Sequence, residues 1–233
     1  MSRTVCWCLA LTVALPAAGF AQKKKEPDYG GVPLSAWVKA LKSSDVRARQ
    51  DAAKTIGEIG PAAKTAAPAL VAAFKDKDGL VRVRVANSHW KVTRDAKAAL
   101  PVLREGLKDK EFEVRMEAAA VLGGIGPAAK DAVPALAAAL KDKDVAVRLS
   151  VAAAIGKIGP SATDAVPALI AVAKDPQNAA CQPAIEALGK IGPAAKSAVP
   201  VLLDALKIED FKRAAAEALE AIDPATAKTI GKE

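Results

Sequence analysis

The sequence predicts an all-α protein in which helical hairpins stack into a right-handed superhelix, an α-solenoid of about five to six repeats. The first observation is a 33-residue period that several residue types share. The second is composition: aromatic residues make up only 3% of a chain that is 52% hydrophobic, so alanine and leucine must supply the core. A fixed period of this length is typical of repeat proteins. The prolines that mark it are Pro68, Pro101, Pro134, Pro167 and Pro200.

Each repeat is predicted to contain two helices, as the segment 144–175 illustrates. Asp144 is expected to cap the first helix, because its carboxylate can accept hydrogen bonds from free amides. Gly156 and Gly159 are expected to weaken and end that helix, and Pro160 prevents its continuation. The second helix begins near Pro167. The apolar face of the first helix is formed by Val147, Val151, Ala154, Ile155 and Ile158.

A second pattern has the same 33-residue period: an acidic residue followed four residues later by an arginine. This order is favourable on a helix, and in a stack the same groups could also bridge repeats. In repeat five the two positions hold Gln177 and Cys181, so both partners are lost together. The four pairs are Asp45 and Arg49, Asp78 and Arg82, Glu111 and Arg115, and Asp144 and Arg148.

Residues 1–21 have the pattern of a secretory signal peptide: a basic start at Arg3, an apolar run over 5–18, and small residues before a cleavage site after Ala21. An uncleaved anchor is the alternative, but the run is short for a membrane span and Lys23 to Lys25 follow it. We therefore expect an exported protein, periplasmic or extracellular, with no stable span after cleavage. Cleavage leaves Cys181 as the only thiol, so no internal disulfide can form.

The domain organisation follows from the repeat marks. A basic, Gly- and Pro-containing linker is predicted at 22–33 and the solenoid at 34–232. Ser35 is a candidate N-cap of the first helix, and Trp37 is expected to cover the open face of repeat one. Glu220 and Asp223 make the last unit more polar. The predicted units are an N-terminal cap at 34–44, repeats at 45–77, 78–110, 111–143, 144–176 and 177–207, and a C-terminal cap at 208–232.

These motifs resemble the HEAT-repeat family, within the HEAT/armadillo-like solenoids, and in particular the short bacterial form named after phycobilisome-lyase HEAT-like repeats. The resemblance covers about residues 34–232 and implies the fold; it also suggests bilin-attaching relatives without transferring their activity. The residues that carry it are Val81-Arg82, Val114-Arg115, Val147-Arg148, and the segments 122–127, 132–136 and 155–160.

The sequence favours binding over catalysis. His89 is the only histidine, so no His-containing metal cluster can be assembled, and no phosphate-binding glycine loop or nucleophile elbow occurs. We expect no enzyme activity, no cofactor and no metal. After cleavage, 33 Lys and Arg against 26 Asp and Glu leave a charge of +7 that is spread along the chain. Together with export, this argues against a nucleic-acid partner, and a monomer is expected.

Repeat two and the second helices supply the candidate binding residues. In repeat two, His89 stands where other repeats have isoleucine or leucine, Trp90 replaces a glycine, and Arg94 replaces a proline. A slipped local register with Trp90 in the core explains this; a recognition site is the alternative. The exposed stripe of the second helices is predicted to line the concave side. It includes the acids Glu105, Asp131 and Asp164. Lys97 belongs to a separate row of lysines at the turns between the two helices, with Lys64, Lys130 and Lys196.

Pro183 lies within the first helix of repeat five, where an interior proline is costly. A shortened helix that begins near Gln182 is therefore predicted.

We interpret the chain as an exported, non-catalytic scaffold that binds a protein or peptide through its concave helix face. The alternative is a phycobilisome-lyase-like or chaperone-like factor that acts on a pigment or cofactor protein. A structural protein of the envelope without a discrete ligand is a third possibility.

Overall fold

The computed structural model describes residues 26–230 of the chain. The predicted signal peptide, residues 1–21, and the first part of the predicted linker lie outside this range. The described residues form a right-handed α-solenoid of stacked helical hairpins, which confirms the predicted fold class.

Each of five repeats contains a first helix and a second helix. The first helices are α2 (Val46–Ile59), α4 (Gly79–Thr93), α6 (Phe112–Ile125), α8 (Val145–Ile158) and α10 (Cys181–Ile191). The second helices are α3 (Ala67–Ala73), α5 (Ala96–Gly106), α7 (Val133–Ala139), α9 (Val166–Ala173) and α11 (Val199–Ala205). A single helix, α1 (Leu34–Ala40), precedes them, and the pair α12 (Glu209–Ile222) and α13 (Pro224–Ile230) follows.

The second part of the predicted linker contains secondary structure. It forms a small antiparallel hairpin of β1 (Asp28–Tyr29) and β2 (Val32–Pro33). The carboxylate of Glu58 on α2 raises the pKa of Tyr29 through a hydrogen bond to its hydroxyl. The hairpin therefore lies beside the first helix of repeat one.

The N-terminal cap differs in one detail from the prediction. Ser35 is not the N-cap; it is the second residue of α1, and its own N–H and hydroxyl donate to the carboxylate of Glu26. Glu26, which precedes the helix, thus accepts a hydrogen bond from a free amide at the helix N-terminus. Trp37 is half-buried against the core of repeat one, as predicted.

Within four repeats, a 3-10 helix joins the two α-helices. Its first residue is a glycine with φ between 66° and 78°, a left-handed value that only glycine adopts at little cost, and proline follows. In repeat two Thr93 occupies the glycine position, α4 ends one residue later, and Arg94 takes the positive φ of 59°. The 3-10 helices are Gly60–Ala66, Gly126–Ala132, Gly159–Ala165 and Gly192–Ala198.

Glycines inside the first helices allow adjacent repeats to approach closely. A Cβ atom on Gly123 would lie 2.8 Å from the Cα of Ala154, and one on Gly189 would lie 2.9 Å from the Cα of Ala218. Gly156 has the same place in α8, against Ala187. The expectation that Gly156 helps to end its helix is therefore wrong: it is buried between two helices.

The arginines of the repeated acid–arginine pairs bridge consecutive loops. The guanidinium of Arg115 donates to both carboxylate oxygens of Asp142 at 2.7 and 3.0 Å, and to the carbonyl oxygens of Asp109 and Lys110 at 2.8 and 3.0 Å. Each such arginine joins the loop that precedes its own helix to the loop of the next repeat. The corresponding pairs are Arg49 with Asp76 and Arg82 with Asp109.

Among the described residues, none of these arginines forms an ion pair with the acid four residues earlier; Arg115 instead bridges to Asp144, the equivalent acid of the next repeat, which was the expected alternative. Asp45 and Asp78 instead cap their helices, accepting hydrogen bonds from the N–H groups of Arg47 and Val81 at 3.0 and 2.9 Å. Asp144, predicted as a cap, makes no capping bond, because its carboxylate accepts a hydrogen bond from Arg115 of the preceding repeat.

Repeat five has the predicted shortened first helix. The helix α10 begins at Cys181 and has 11 residues, against 14 in α8. Pro183 is its third residue, where the amide would have no partner within the helix, so its missing N–H costs no hydrogen bond. Arg148 of repeat four reaches Asn178 at 3.3 Å in place of an aspartate.

The run Val145–Ala173 is long and apolar enough to cross a membrane by composition, with a mean hydropathy of 1.2 over 18 residues. It consists of α8 and α9, which have 14 and 8 residues and are separated by a 3-10 helix. Each is shorter than the roughly 20 residues of a spanning helix. In this structure the run is one hairpin of the stack.

The neighbouring glycines of α6 provide a test of the close packing. We expect Gly123→Ala to lower the free energy of unfolding by about 1 to 3 kcal/mol, because the new methyl group overpacks the contact with Ala154. Gly124→Ala, which meets no atom within 4 Å, should raise it by about 0.5 to 1 kcal/mol. Urea unfolding followed by circular dichroism measures both. Equal effects would contradict the packing argument.

The arginine bridges are tested by comparing two equivalent positions. We expect Arg115→Met to lower the free energy of unfolding by about 3 to 5 kcal/mol, because Asp142 and two loop carbonyls lose their buried partner. Arg148→Met should cost less, since its partner Asn178 is uncharged. The same unfolding measurement applies, and an equal loss in both variants would argue against the bridge to Asp142.

Candidate protein-binding surface

His89 is a core residue and is not available to a partner. Its side chain is only 5% exposed, and its ring lies edge-on to Phe74 with the centroids 5.4 Å apart. Burial lowers the pKa of His89, although the nearby carboxylate of Asp95 acts in the opposite direction. The imidazole thus occupies the position that isoleucine or leucine fills in other repeats. Its assignment as a binding residue is wrong for this reason.

Trp90 and Arg94 lie at the junction between repeats two and three. Trp90 is half-buried and packs against the core, so it does not take the core position itself, which His89 fills. The guanidinium carbon of Arg94 lies 5.7 Å from the centre of the Trp90 ring, at the surface. Trp90 stands where other repeats have a glycine that contacts the next first helix, such as Gly123. The helices α4 and α6 are therefore packed less closely than α2 with α4 or α6 with α8.

The remaining predicted binding residues are exposed but separate from one another. Lys97 lies in the first turn of α5, and Glu105 near its end, with its carboxylate 3.9 Å from the Lys108 ammonium group. Asp131 and Asp164 lie at equivalent positions in the 3-10 helices of repeats three and four. The structure therefore distributes these four residues over repeats two to four and does not bring them together.

The second-helix stripe is solvent-exposed, as predicted, with Ala98 the half-buried member. It is smooth, because proline and alanine predominate, and Val71 is a larger apolar side chain beside it that is 46% exposed. The stripe consists of Thr65, Pro68, Ala72, Ala98, Pro101, Glu105, Asp131, Pro134, Ala138, Asp164, Pro167 and Ala171.

The first helices carry an apolar patch that the sequence interpretation missed. It consists of Phe112 and Met116 on α6, and Val145 and Leu149 on α8. Phe112, Val145 and Leu149 are 40%, 45% and 37% exposed, which is high for side chains of this size. The two pairs occupy equivalent positions one repeat apart. A visible signal existed: Phe112 and Val145 each directly follow the acid that opens the helix, outside the apolar stripe.

Two grooves lie on the same side of the molecule, between first helices. One, of about 260 Å³, crosses α2, α4 and α6. The other, of about 390 Å³, separates α10 from α12 and is lined by Glu186, Lys190, Arg213 and Glu217. Charged grooves thus lie on both sides of the apolar patch along the stack. This is the arrangement of many protein interfaces, which have an apolar centre and a polar rim.

The described residues contain no group of three or more His, Cys, Asp or Glu side chains that could hold a metal ion. Cys181 is buried, and burial raises the pKa of its thiol, which donates to the carbonyl oxygen of Ala173 at 3.5 Å. A buried neutral thiol is a poor nucleophile. The arrangement on the surface of this chain is suited to binding.

Comparison with known proteins supports the fold. A family model described as HEAT repeats matches residues 34–111 and 100–182. No curated protein matches the sequence. An engineered protein of the Northeast Structural Genomics Consortium is 24% identical with a TM-score of 0.62, covering 82% of this chain and 96% of its own. The designed armadillo repeat protein YIII(Dq)4CqI is 21% identical, with a TM-score of 0.61 and coverage of 82% and 100%.

A natural neighbour is the complex of CpcE and CpcF of phycocyanin lyase from Nostoc sp. PCC7120. It is 26% identical to this chain with a TM-score of 0.55, and the match covers 88% of this chain and 84% of that one. The two designed or engineered proteins show the fold alone. This neighbour fits the predicted resemblance to the lyase type of repeat.

His89 predicts a dependence of stability on pH. Because its pKa is lowered in the folded chain, the unfolded chain binds the proton first, and stability should fall as the pH drops below about 6.5. His89→Leu, which places the residue of other repeats there, should reduce the change in melting temperature between pH 7.5 and 5.5. An unchanged difference would show that His89 does not titrate in this range.

Proposed function

This chain belongs to the HEAT-repeat family, and we propose that it is an exported, non-catalytic scaffold that binds a protein or peptide. Solenoids of this kind expose long helical faces that commonly serve as binding surfaces. The single observation that carries the proposal is the apolar patch of Phe112, Met116, Val145 and Leu149. Apolar side chains that cluster on the surface of a folded chain mark interaction sites.

Two faces are candidates for the contact. The apolar patch and the charged grooves beside it favour the face of the first helices. The second-helix stripe, expected on the concave side, offers small residues with few anchoring groups. Aromatic and large aliphatic side chains usually contribute most of the binding energy at an interface, so we place the main contact at the apolar patch.

Export is the second part of the proposal and rests on residues 1–21. The basic start, the apolar run and Ala21 support cleavage and a periplasmic or extracellular location for the mature protein. We propose that this mature protein is a monomer. Mass spectrometry of the mature chain tests this, since cleavage after Ala21 gives a protein that begins with Gln22.

A lyase-like or chaperone-like factor for a pigment or cofactor protein is the second candidate function. The likeness to the phycocyanin lyase complex favours it. Co-expression with a phycocyanin subunit and a bilin source tests it: covalent attachment of the pigment would support this candidate. If no pigment is attached, the lyase-like candidate is rejected and the scaffold proposal is retained.

A photo-crosslinking residue in place of Leu149 tests the scaffold proposal in the native envelope. We expect it to capture one protein species in a saturable manner, because the patch lies in the contact. Phe112→Ser should abolish the capture without lowering the melting temperature, since its side chain is 40% exposed.

The matched control places the same crosslinker at Ala138, an exposed residue of the second-helix stripe. Capture at Ala138 and not at Leu149 would move the site to the concave stripe. Capture at neither position would reject the proposal of a protein-binding scaffold.

A further inference from the structure

The groove of about 260 Å³ beside the apolar patch is lined by polar side chains. Lys54 and Glu58 come from α2, and Glu117 from α6, the helix that also carries Phe112. The centre belongs to α4. Its residues are spaced three and four apart, so they share one helical stripe. They are Arg84, Asn87 and Lys91.

The stripe on α4 has unused donors. One guanidinium nitrogen of Arg84 donates to Gln50 at 3.1 Å, which holds the side chain in place and leaves its other donors available. Asn87 and Lys91 make no side-chain hydrogen bond or ion pair with the described residues. A guanidinium, an amide and an ammonium group that face one groove are suited to an oxyanion.

The acids of the groove determine which anion fits. Glu58 lies 3.8 Å from Lys54 and also interacts with Tyr29, so its charge is largely compensated. Glu117 has no ion-pair partner among the described residues. Three cations against two carboxylates leave a formal charge of +1, which matches a carboxylate better than a doubly charged phosphate.

This stripe is particular to repeat two. The positions equivalent to Arg84, Asn87 and Lys91 hold Glu117, Ala120 and Gly124 in repeat three. The wider charge distribution follows the same trend. Residues 45–110 contain 14 Lys and Arg against 8 Asp and Glu, whereas residues 111–230 contain 13 against 15. An acidic segment is therefore attracted to repeats one and two and not to the rest of the stack.

From this geometry we propose that the groove binds an aspartate or glutamate side chain of the partner segment. The inference rests on the proposed function and adds a chemical requirement to the partner. Glu117 directly follows Met116 of the apolar patch on α6, so a segment that fills the groove lies next to the patch. The partner then carries acidic residues next to its apolar anchors, separated by about one repeat, or roughly 10 Å.

Two synthetic peptides of ten residues test the proposal. Both contain the same leucines; one carries three glutamates, and the other carries three glutamines at the same positions. Isotope-labelled protein is titrated with each and followed by NMR. The glutamate peptide should shift the side-chain amide of Asn87 and bind about tenfold more tightly than the glutamine peptide. A phosphoserine version should bind no better than the glutamate version.

Variants make the assignment specific. The double variant Arg84→Gln, Lys91→Gln should reduce affinity for the glutamate peptide about tenfold, and Glu117→Gln should increase it, because a repelling charge is removed. Lys157→Gln, at the position of Lys91 in repeat four, is the matched control and should change nothing. Equal affinities for both peptides, or no effect of the double variant, would overturn the inference. Tighter binding of phosphoserine would reassign the groove to phosphate.

The crosslinking assay separates this inference from the proposed function. Capture at Leu149 that survives in the Arg84→Gln, Lys91→Gln variant would reject the acidic segment and keep the scaffold. Loss of capture in that variant, with the same melting temperature as the wild type, supports both.

Discussion

A buried arginine that joins two consecutive loops is the interaction on which the order of the stack depends. Arg49 and Arg115 donate both to carbonyls of the loop before their own helix and to an aspartate of the next loop. Burying such a pair costs desolvation energy that offsets most of its attraction, so its main effect is on specificity. A change in the spacing or rotation between repeats would break these hydrogen bonds. The apolar contacts between first helices, made close by Gly123 and Gly189, then supply the stability.

The regularity of this arrangement explains why the departures from it carry the functional argument. Identical repeats would present identical, mostly small side chains to solvent. Repeat two differs from the other repeats in Trp90, which separates α4 from α6. It also differs in the hydrogen-bond donors Arg84, Asn87 and Lys91, which line the groove of about 260 Å³. Repeats three and four depart through Phe112 and Leu149, which extend into solvent instead of the core. These departures all lie on the first helices of three consecutive repeats.

The surface chemistry favours recognition by a chain with mixed character. A purely apolar partner would leave the donors of Arg84 and Lys91 without hydrogen bonds, and a purely acidic one would leave Phe112 exposed. The two requirements together select a partner more strictly than either alone, because each wrong partner loses a specific contact. The likeness to the phycocyanin lyase complex of CpcE and CpcF shows a solenoid of this type in a protein assembly.

The sequence alone determined the repeat length, the number of hairpins, the positions where helices end and the late start of α10, because these depend on local chemistry. Glycine at positive φ, proline rings and apolar periodicity act within a few residues. The sequence did not determine which acids pair with each arginine: Asp142 and Asp144 recur with the same period, and only the packed stack shows that Arg115 bonds to both. It favoured Trp90 for the core position that His89 fills, and it did not show that Phe112 stays outside. Those outcomes depend on the neighbouring repeat about 30 residues away, which sets the space that each side chain can fill.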